Sequence, residues 1–235
     1  MSEFTDIHSH LIYGVDDGAK TREEMEAMLD AAHADGIAFL FATPHVTPGV
    51  EPFDQALYEA RLEEARAYCR RKGYDMALYP GAEILYTPWM EQYAARRRLP
   101  TLAGSDYLLL ECVPDIAYAE LDAALSFLER AGYVTVLAHV ERYKCLRGRS
   151  AYRLRARHDI RYQINCAAVL GGHGFFADRR VLKWLRAGLI DFVASDSHNC
   201  HGRPTRMRQA YARLVRQCGR EAAARMMRAG RQPRS

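Results

Sequence analysis

At 235 residues, with 49% hydrophobic and 26% charged side chains, the chain can fill one large core and clothe it, which excludes disordered and fibrous classes. A net charge of +4, from 33 basic and 29 acidic residues, is too slight for a dedicated nucleic-acid binder, so no nucleic-acid partner is expected. No apolar run approaches the roughly 18 residues of a membrane span and the start MSEFTDIHSH lacks the marks of a signal peptide, so a cytoplasmic protein without membrane insertion is expected.

In chain order, a β-rich segment at residues 5–8 precedes a helical pattern over 21–34, where Thr21 and Glu24 have capping-box spacing and Gly36 ends the run. A strand at 37–42 and a helix at 54–72 follow, then a strand at 76–79, a helix at 88–97, a strand at 107–111 and a helix at 118–130. The last third predicts strands at 134–138, 162–165 and 192–194, with helices at 178–187 and 205–216. From Arg203 onward the chain is arginine-rich with one carboxylate, Glu221, and reads as a solvated helix and tail. Met207, Met226 and Met227 are read as helix core, residues 230–235 as a disordered tail, and residues 1–229 as a single domain.

Seven strands alternating with helices imply an α/β fold with a parallel sheet. The absence of a dinucleotide fingerprint favours a closed or nearly closed barrel over an open sheet. In such a barrel the loops after the strands share one rim, so polar residues placed just past apolar strands converge. His8 and His10 close the first strand, Asp16 and Asp17 follow in Gly-Val-Asp-Asp-Gly, and His45 follows the second strand. Glu83 stands in Pro-Gly-Ala-Glu after the third, Glu111 ends the fourth, His139 follows the fifth, and Asp196 and His198 follow the last.

A single such histidine is more often a turn or core residue, but strand alternation puts both rings of His-x-His on one side, and five further strand ends repeat the pattern. Carboxylates gathered this closely repel unless cations lie among them. Imidazole and carboxylate without thiolate suit manganese, iron or zinc, and the set exceeds the needs of one ion, so two or three divalent metals are implied. The six cysteines form no CxxC pair, which predicts reduced thiols and neither a disulfide framework nor a zinc–thiolate cage.

Asp-Ile-His-Ser-His, Thr-Pro-His, Gly-Ala-Glu, the strand ending in Glu111, Ala-His-Val-Glu-Arg and Ser-Asp-Ser-His-Asn together resemble the polymerase and histidinol phosphatase (PHP) superfamily of metal-dependent phosphoesterases, over about residues 6–203. Gly-Val-Asp-Asp-Gly, Ala-His-Val-Glu-Arg-Tyr and Ser-Asp-Ser-His-Asn-x-x-Gly-Arg-Pro resemble its bacterial capsular-polysaccharide-type tyrosine phosphatases. The resemblance implies a distorted (β/α)7 TIM-like barrel and a first metal on His8, His10, Glu83 and Asp196. Glu83 would bridge to a second metal on Glu111 and His139, and Asp17, His45 and His198 would hold a third, with manganese the usual ion. The implied partner is the phosphotyrosine tail of a bacterial tyrosine kinase of capsule or exopolysaccharide synthesis. Ala19 stands where the family often has Pro, Ser197 where a small or apolar residue is usual, and the C-terminal Asn-Pro is missing; none of these removes a ligand.

The chemistry expected of such a site is hydrolysis of a phosphate ester by a metal-bridged hydroxide, without a phosphoenzyme. Arg142 and Arg203 are placed to grip phosphate oxygens in a forked contact, and Asp16 and His201 are candidate proton donors. Cys200 and Arg206 have the spacing of a thiolate phosphatase loop, but Pro204 removes an N–H that such a loop needs, and the match reads as accidental. Tyr13, Tyr86 and Tyr143 can flank a substrate ring, while His33, His158 and His173 read as structural or surface residues. The competing expectations are a phosphatase of a small phosphomonoester such as histidinol phosphate, and a regulatory domain that binds phosphoprotein without turnover.

Overall fold

The computed structural model describes residues 4–172 and 174–228; His173 and the tail expected at 230–235 lie outside the described residues. In chain order the elements are β1 (Phe4–Asp6), α1 (Arg22–Asp35), β2 (Ile37–Ala42), β3 (His45–Val46), α2 (Gln55–Lys72), β4 (Ala77–Pro80), β5 (Glu83–Leu85), α3 (Met90–Ala94) and β6 (Tyr107–Glu111). There follow α4 (Tyr118–Arg130), β7 (Val134–Leu137), α5 (Ser150–Arg157), β8 (Arg161–Asn165), α6 (Cys166–Leu170), α7 (Phe175–Arg186), β9 (Phe192–Ala194), α8 (Met207–Cys218) and α9 (Arg220–Met227).

The long helices start and stop where their termini are chemically satisfied. Thr21 accepts from the Glu24 N–H at 3.3 Å, and the Glu24 carboxylate accepts from the Lys20 N–H at 2.6 Å, one residue earlier than a reciprocal capping box requires. Gly36 ends α1 in the left-handed region, and Asp54 caps α2 by accepting from the Leu57 N–H at 2.9 Å.

Every strand pair is parallel, as the strand–helix alternation requires, but the pairing forms two sheets, β1-β2-β4 and β3-β5-β6-β7-β8-β9. The closed barrel expected from the sequence is not found among the described residues. The expected strands at 37–42 and 76–79 each resume after a break, at Thr43-Pro44 and Gly81-Ala82, and their second halves, β3 and β5, pair in the other sheet. Pro44 has no N–H to carry the ladder through. The buried Tyr58 hydroxyl fills the gap: it donates to the Ala42 carbonyl at 2.8 Å and accepts from the Gly81 N–H at 3.1 Å. At the far edges a single parallel bridge, Ser9 to Ser197, links β1's end to β9's.

Alternation along the strands assigns two faces. Leu108 and Leu110, Leu40 and Ala42, and Tyr162 and Ile164 belong to the large core that includes the helices. Phe41, Leu109, Val136 and Ala194 meet in a separate apolar cluster on the opposite face. Two residues beyond Leu109 on that face stands Glu111, and on β8 the same parity carries Gln163 and Asn165. The inner face is apolar below and polar at the C-terminal strand ends.

Elements that carry no long period escaped the sequence reading. These are β3 and β5, the arginine-rich α5 and the five-residue α6 that follows β8 directly; Met226 and Met227, read as helix core, lie in α9, whose separation from α8 at Gly219 was not read. The helix expected at 88–97 is confined to α3, and α7 starts at Phe175 rather than 178. The structural readings of two histidines agree with their contacts: His33 stacks on Tyr74 at 3.9 Å, and buried His158 bridges Glu129 and Asp122 at 2.9 Å each, tying the end of α5 to α4. Met207 and Met227 are fully buried.

Tyr58→Phe leaves a buried carbonyl and a buried N–H unpaired at the strand breaks, so urea unfolding should show a loss of about 1–3 kcal/mol. A variant as stable as the parent would show that the hydroxyl does not bridge the break.

Candidate metal centre

The end of β1 is laced between its neighbours. The Thr43 N–H donates to the Ser9 carbonyl and the His10 N–H to the Ser197 carbonyl, both at 2.8 Å, and the Asp196 N–H donates to the His8 carbonyl at 2.9 Å. Ser9 turns its hydroxyl to the Phe41 carbonyl at 2.8 Å, so His8 and His10 project to the opposite side. Both rings are buried.

All nine residues proposed from the sequence as ligands are brought together. Ligand atoms of His10, Asp17, His45 and His198 lie within 4.8 Å of one another, as do those of His8, His10 and Asp196, and those of His45, Glu83 and Glu111. His139 joins through Nε2, 2.8 Å from Glu83 Oε1 and 3.2 Å from Glu111 Oε1. Glu83 is central: its other oxygen lies 3.1 Å from His8 Nε2, 3.3 Å from His10 Nε2 and 3.1 Å from His45 Nδ1. The grouping differs from the expected partition in that His10 and His45 each face two groups rather than one.

The donor chemistry fits cations. His8 Nδ1 faces the Gln163 side-chain oxygen at 3.3 Å, His10 Nδ1 faces Asp16 at 2.7 Å, and His198 Nδ1 faces the Asp196 carbonyl at 3.1 Å. Each partner is an acceptor, so when a cation takes the Nε2 side the proton of each ring belongs on Nδ1 and the Nε2 lone pair is free to coordinate; without one, Nε2 of His10 can carry a second proton toward Glu83 and Asp196. The Nε2 atoms of His8 and His10 then face each other at 3.1 Å, with Asp196 Oδ1 3.5 Å from both. Two lone pairs and two carboxylates around one point repel unless a cation or added protons sit among them. Buried His198 Nε2 makes no hydrogen bond, although Asp17 Oδ1 lies 3.3 Å away.

The electrostatics express the same conflict. Burial works against ionising Glu83 and Asp196, yet the adjoining His8, with hydrogen bonds from His10, holds both carboxyls far below the usual range. Burial also opposes a charge on His139, but its hydrogen bonds to Glu111 and Glu83 push its pKa up to about 9. His198 is drawn down to about 4, by burial first and then by the charges of His10 and Arg203.

Two candidate ligand positions carry backbone strain: His139 and Asp196 have φ of +32° and +54°, a region that non-glycine residues rarely occupy. Gly18 shows why the Asp-Asp-Gly loop ends in glycine. A Cβ there would sit 1.9 Å from the His10 carbonyl oxygen, so only a bare Cα lets the loop close over His10.

Arg142 and Arg203 reach the cluster, each donating from Nη2 to Asp196 Oδ2, at 2.8 and 2.7 Å. The same oxygen accepts from Asn165 Nδ2 at 2.6 Å, and Asn165 Oδ1 accepts from Gln163 Nε2 at 2.9 Å. Gln163 Oε1 in turn accepts from the His139 N–H at 2.8 Å. The sequence reading missed these two amides; their signal was a Gln and an Asn at alternate positions of an otherwise apolar strand.

Asp16 was expected as a proton donor and is instead a positioning acceptor. Burial would raise its pKa, but the His10 hydrogen bond outweighs it and holds the carboxyl at about 2, and the Gly18 and His45 N–H groups also donate to it. His201 is exposed. Tyr143 does not flank an open site either: it is buried behind His139, with its hydroxyl accepting from the Cys112 N–H at 3.0 Å. Tyr13 packs under Arg61 and donates to Glu64 at 3.2 Å, while half-buried Tyr86 adjoins Glu111. Burial raises the pKa of the Cys200 thiol, which runs against a thiolate nucleophile.

Removing an acceptor that fixes an imidazole typically weakens metal binding by about 10–100-fold. Gln163→Leu should do so in a manganese titration while leaving the far-UV spectrum intact; unchanged affinity would show that Gln163 does not orient His8. Gly18→Ala should lose metal binding more severely, because His10 must move.

Comparison with known proteins agrees with this geometry. The family described as capsular polysaccharide synthesis, CpsB/CapC, matches residues 4–232. The chain is 30% identical over 225 residues to the tyrosine-protein phosphatase CpsB of Streptococcus pneumoniae, covering 93% of this chain and 92% of that protein. It is 30% identical over 218 residues to the tyrosine-protein phosphatase YwqE of Bacillus subtilis, covering 92% and 85%. A crystal structure from work on YwqE and CpsB, described as unique metal-dependent tyrosine phosphatases, superposes with a TM-score of 0.84 at 30% identity, over 93% of this chain and 89% of that one. The family match runs through every strand and every candidate ligand described above, and the chain belongs to the CpsB/CapC family of capsular polysaccharide synthesis.

Proposed function

We propose that the chain is a metal-dependent protein-tyrosine phosphatase, acting on the phosphotyrosine tail of a bacterial tyrosine kinase in capsule or exopolysaccharide synthesis. The observation that carries this is the convergence of the Nε2 lone pairs of His8, His10 and His198 with Glu83, Asp196 and Asp17, in a chain whose relatives are named tyrosine-protein phosphatases. His8, His10, Glu83 and Asp196 would hold one divalent ion, Glu83, Glu111 and His139 a second, and Asp17, His45 and His198 a third. Imidazole and carboxylate donors suit manganese, iron or zinc, and manganese is the ion the family resemblance implies. Bound there, the ions would acidify water at neutral pH and neutralise charge on the phosphoryl oxygens.

The chain's own residues supply the rest. Gln163, Asp16 and the Asp196 carbonyl fix three imidazoles in one tautomer, so the ligand cage is organised before substrate arrives. Arg142 and Arg203 share Asp196 with 39% and 41% of their side chains exposed, and the solvent-facing parts of the two guanidiniums are placed to take phosphate oxygens. A phenolate, from a group of pKa about 10, leaves more readily than an alkoxide, so the reaction has little need of a donor. The same reading takes residues 1–229 as one phosphatase domain and the two sheets as a distorted seven-unit barrel joined at the Ser9–Ser197 bridge. It places the protein in the cytoplasm, where its free thiols suit a reducing compartment. No described helix is long and apolar enough to cross a membrane.

Chelation should abolish release of phosphate from a phosphotyrosine peptide, and manganese should restore it. His139→Ala or Asp196→Ala should reduce turnover to background while Cys200→Ser keeps it; the reverse would reject the metal mechanism. A kcat/KM higher for histidinol phosphate than for the peptide would move the substrate to small phosphomonoesters, and tight peptide binding without release would make the protein a binding module.

A further inference from the structure

α7 buries one face, Val181, Trp184 and Leu185, and turns another outward. On the outward side Phe176, Arg180 and Lys183 recur at i, i+4 and i+7, with Arg179 beside them, so they form one stripe along the helix. Phe176 is 86% exposed, an unusual place for a large apolar ring, and Phe175 next to it is 70% exposed. The stripe lines an open groove of about 720 Å³ together with Arg186 and Gly148.

The groove is strongly cationic, and Glu141 is the carboxylate acting on half-buried Arg180. Among the described residues Arg147, Arg179, Arg180, Lys183 and Arg186 form no ion pair, whereas Arg97, Arg155 and Arg161 each pair with an aspartate. Arg180 and Arg147 are close enough for their charges to oppose each other, and Arg180 is held by donating to the Glu141 carbonyl at 2.7 Å. The groove shares Arg180 with a second cavity beside the candidate metal centre. That cavity, of about 280 Å³, is walled by Glu141 and Asp178 as well as by Arg142 and Asn165, the last two bonded to Asp196.

We infer that the α7 groove is a docking site for an acidic stretch of the substrate polypeptide that adjoins the phosphotyrosine being hydrolysed. The inference rests on the proposed phosphatase activity for the location of the phosphotyrosine, and on the groove's own charge for the flanking segment. Carboxylates of the peptide meet Arg179, Arg180 and Lys183, and an apolar residue of the same segment covers Phe176. Unpaired cations on a rigid helix give both steering and orientation, so the groove acts on the selection of peptides and leaves the chemical step alone. Arg180, shared between the groove and the cavity beside Asp196, favours a peptide over an anionic lipid surface, which needs no contact there.

The test uses the full chain loaded with manganese and two phosphotyrosine peptides, one flanked by glutamates and one with glutamines in their place. The acidic peptide should have a kcat/KM about tenfold higher, the effect of two or three exposed ion pairs. Arg179→Glu combined with Lys183→Glu should erase that preference, Phe176→Ala should lower kcat/KM for both peptides, and none of these should change hydrolysis of p-nitrophenyl phosphate. Equal rates on the two peptides, or an equal loss on p-nitrophenyl phosphate, would overturn the inference. Sedimentation with anionic vesicles that depends on the same charges, without peptide preference, would assign the surface to a membrane and also overturn it. Fluorescence anisotropy of the labelled acidic peptide separates the two readings: charge-dependent binding without phosphate release leaves the groove standing and removes the phosphatase.

Discussion

Three imidazole lone pairs and several carboxylate oxygens are aimed at one buried volume, and this is the constraint that the rest of the molecule serves. Left to themselves such groups repel or take up protons, as the opposite pKa displacements of His139 and His198 show. Holding them together costs free energy, which packing elsewhere must offset and which cation binding can return. The fold meets the cost with rigidity. The candidate ligands leave strand ends whose backbones are cross-bonded, and the Nδ1 atoms of His8, His10 and His198 face acceptors held in place by the strands and loops around them.

That rigidity is visible in features which have no other evident use. His139 and Asp196 accept left-handed backbone, and Gly18 gives up its side chain so that the loop can lie against His10. Asp196 is the meeting point of two networks. One oxygen faces the histidines, while the other gathers Arg142, Arg203 and Asn165. The arginines therefore couple any phosphate they hold to the ligand cage itself. The cavity beside Asp196 is also lined by Arg180 of α7, so Arg142 and Arg180 share its walls.

The grouping of the candidate ligands was legible in the sequence because most of them stand at or just past expected apolar strands, and parallel strands bring their C-terminal ends to one side. Seven strand positions and the longest helices were legible for the same reason: period and caps are local properties. What failed was tertiary. The breaks at Pro44 and Gly81 fall just past the expected strands, and that the chain resumes as strand in the other sheet depends on partners remote in the chain. Asp16 was read as a donor because spacing does not show that His10 and two N–H groups converge on it. Tyr143 was placed at the rim because its position after His139 cannot reveal that the ring turns inward. Gln163 and Asn165 were detectable as polar residues on an apolar strand, but their role depends on a face that only the strand's neighbours define.

Anomalous diffraction at the manganese edge, from crystals grown with the ion, would locate cations among these side chains. At least two peaks are expected, one bounded by His8, His10, Glu83 and Asp196 and the next on the far side of Glu83 toward Glu111 and His139. A protein that cleaves phosphotyrosine peptides with no anomalous peak among these side chains would contradict this arrangement.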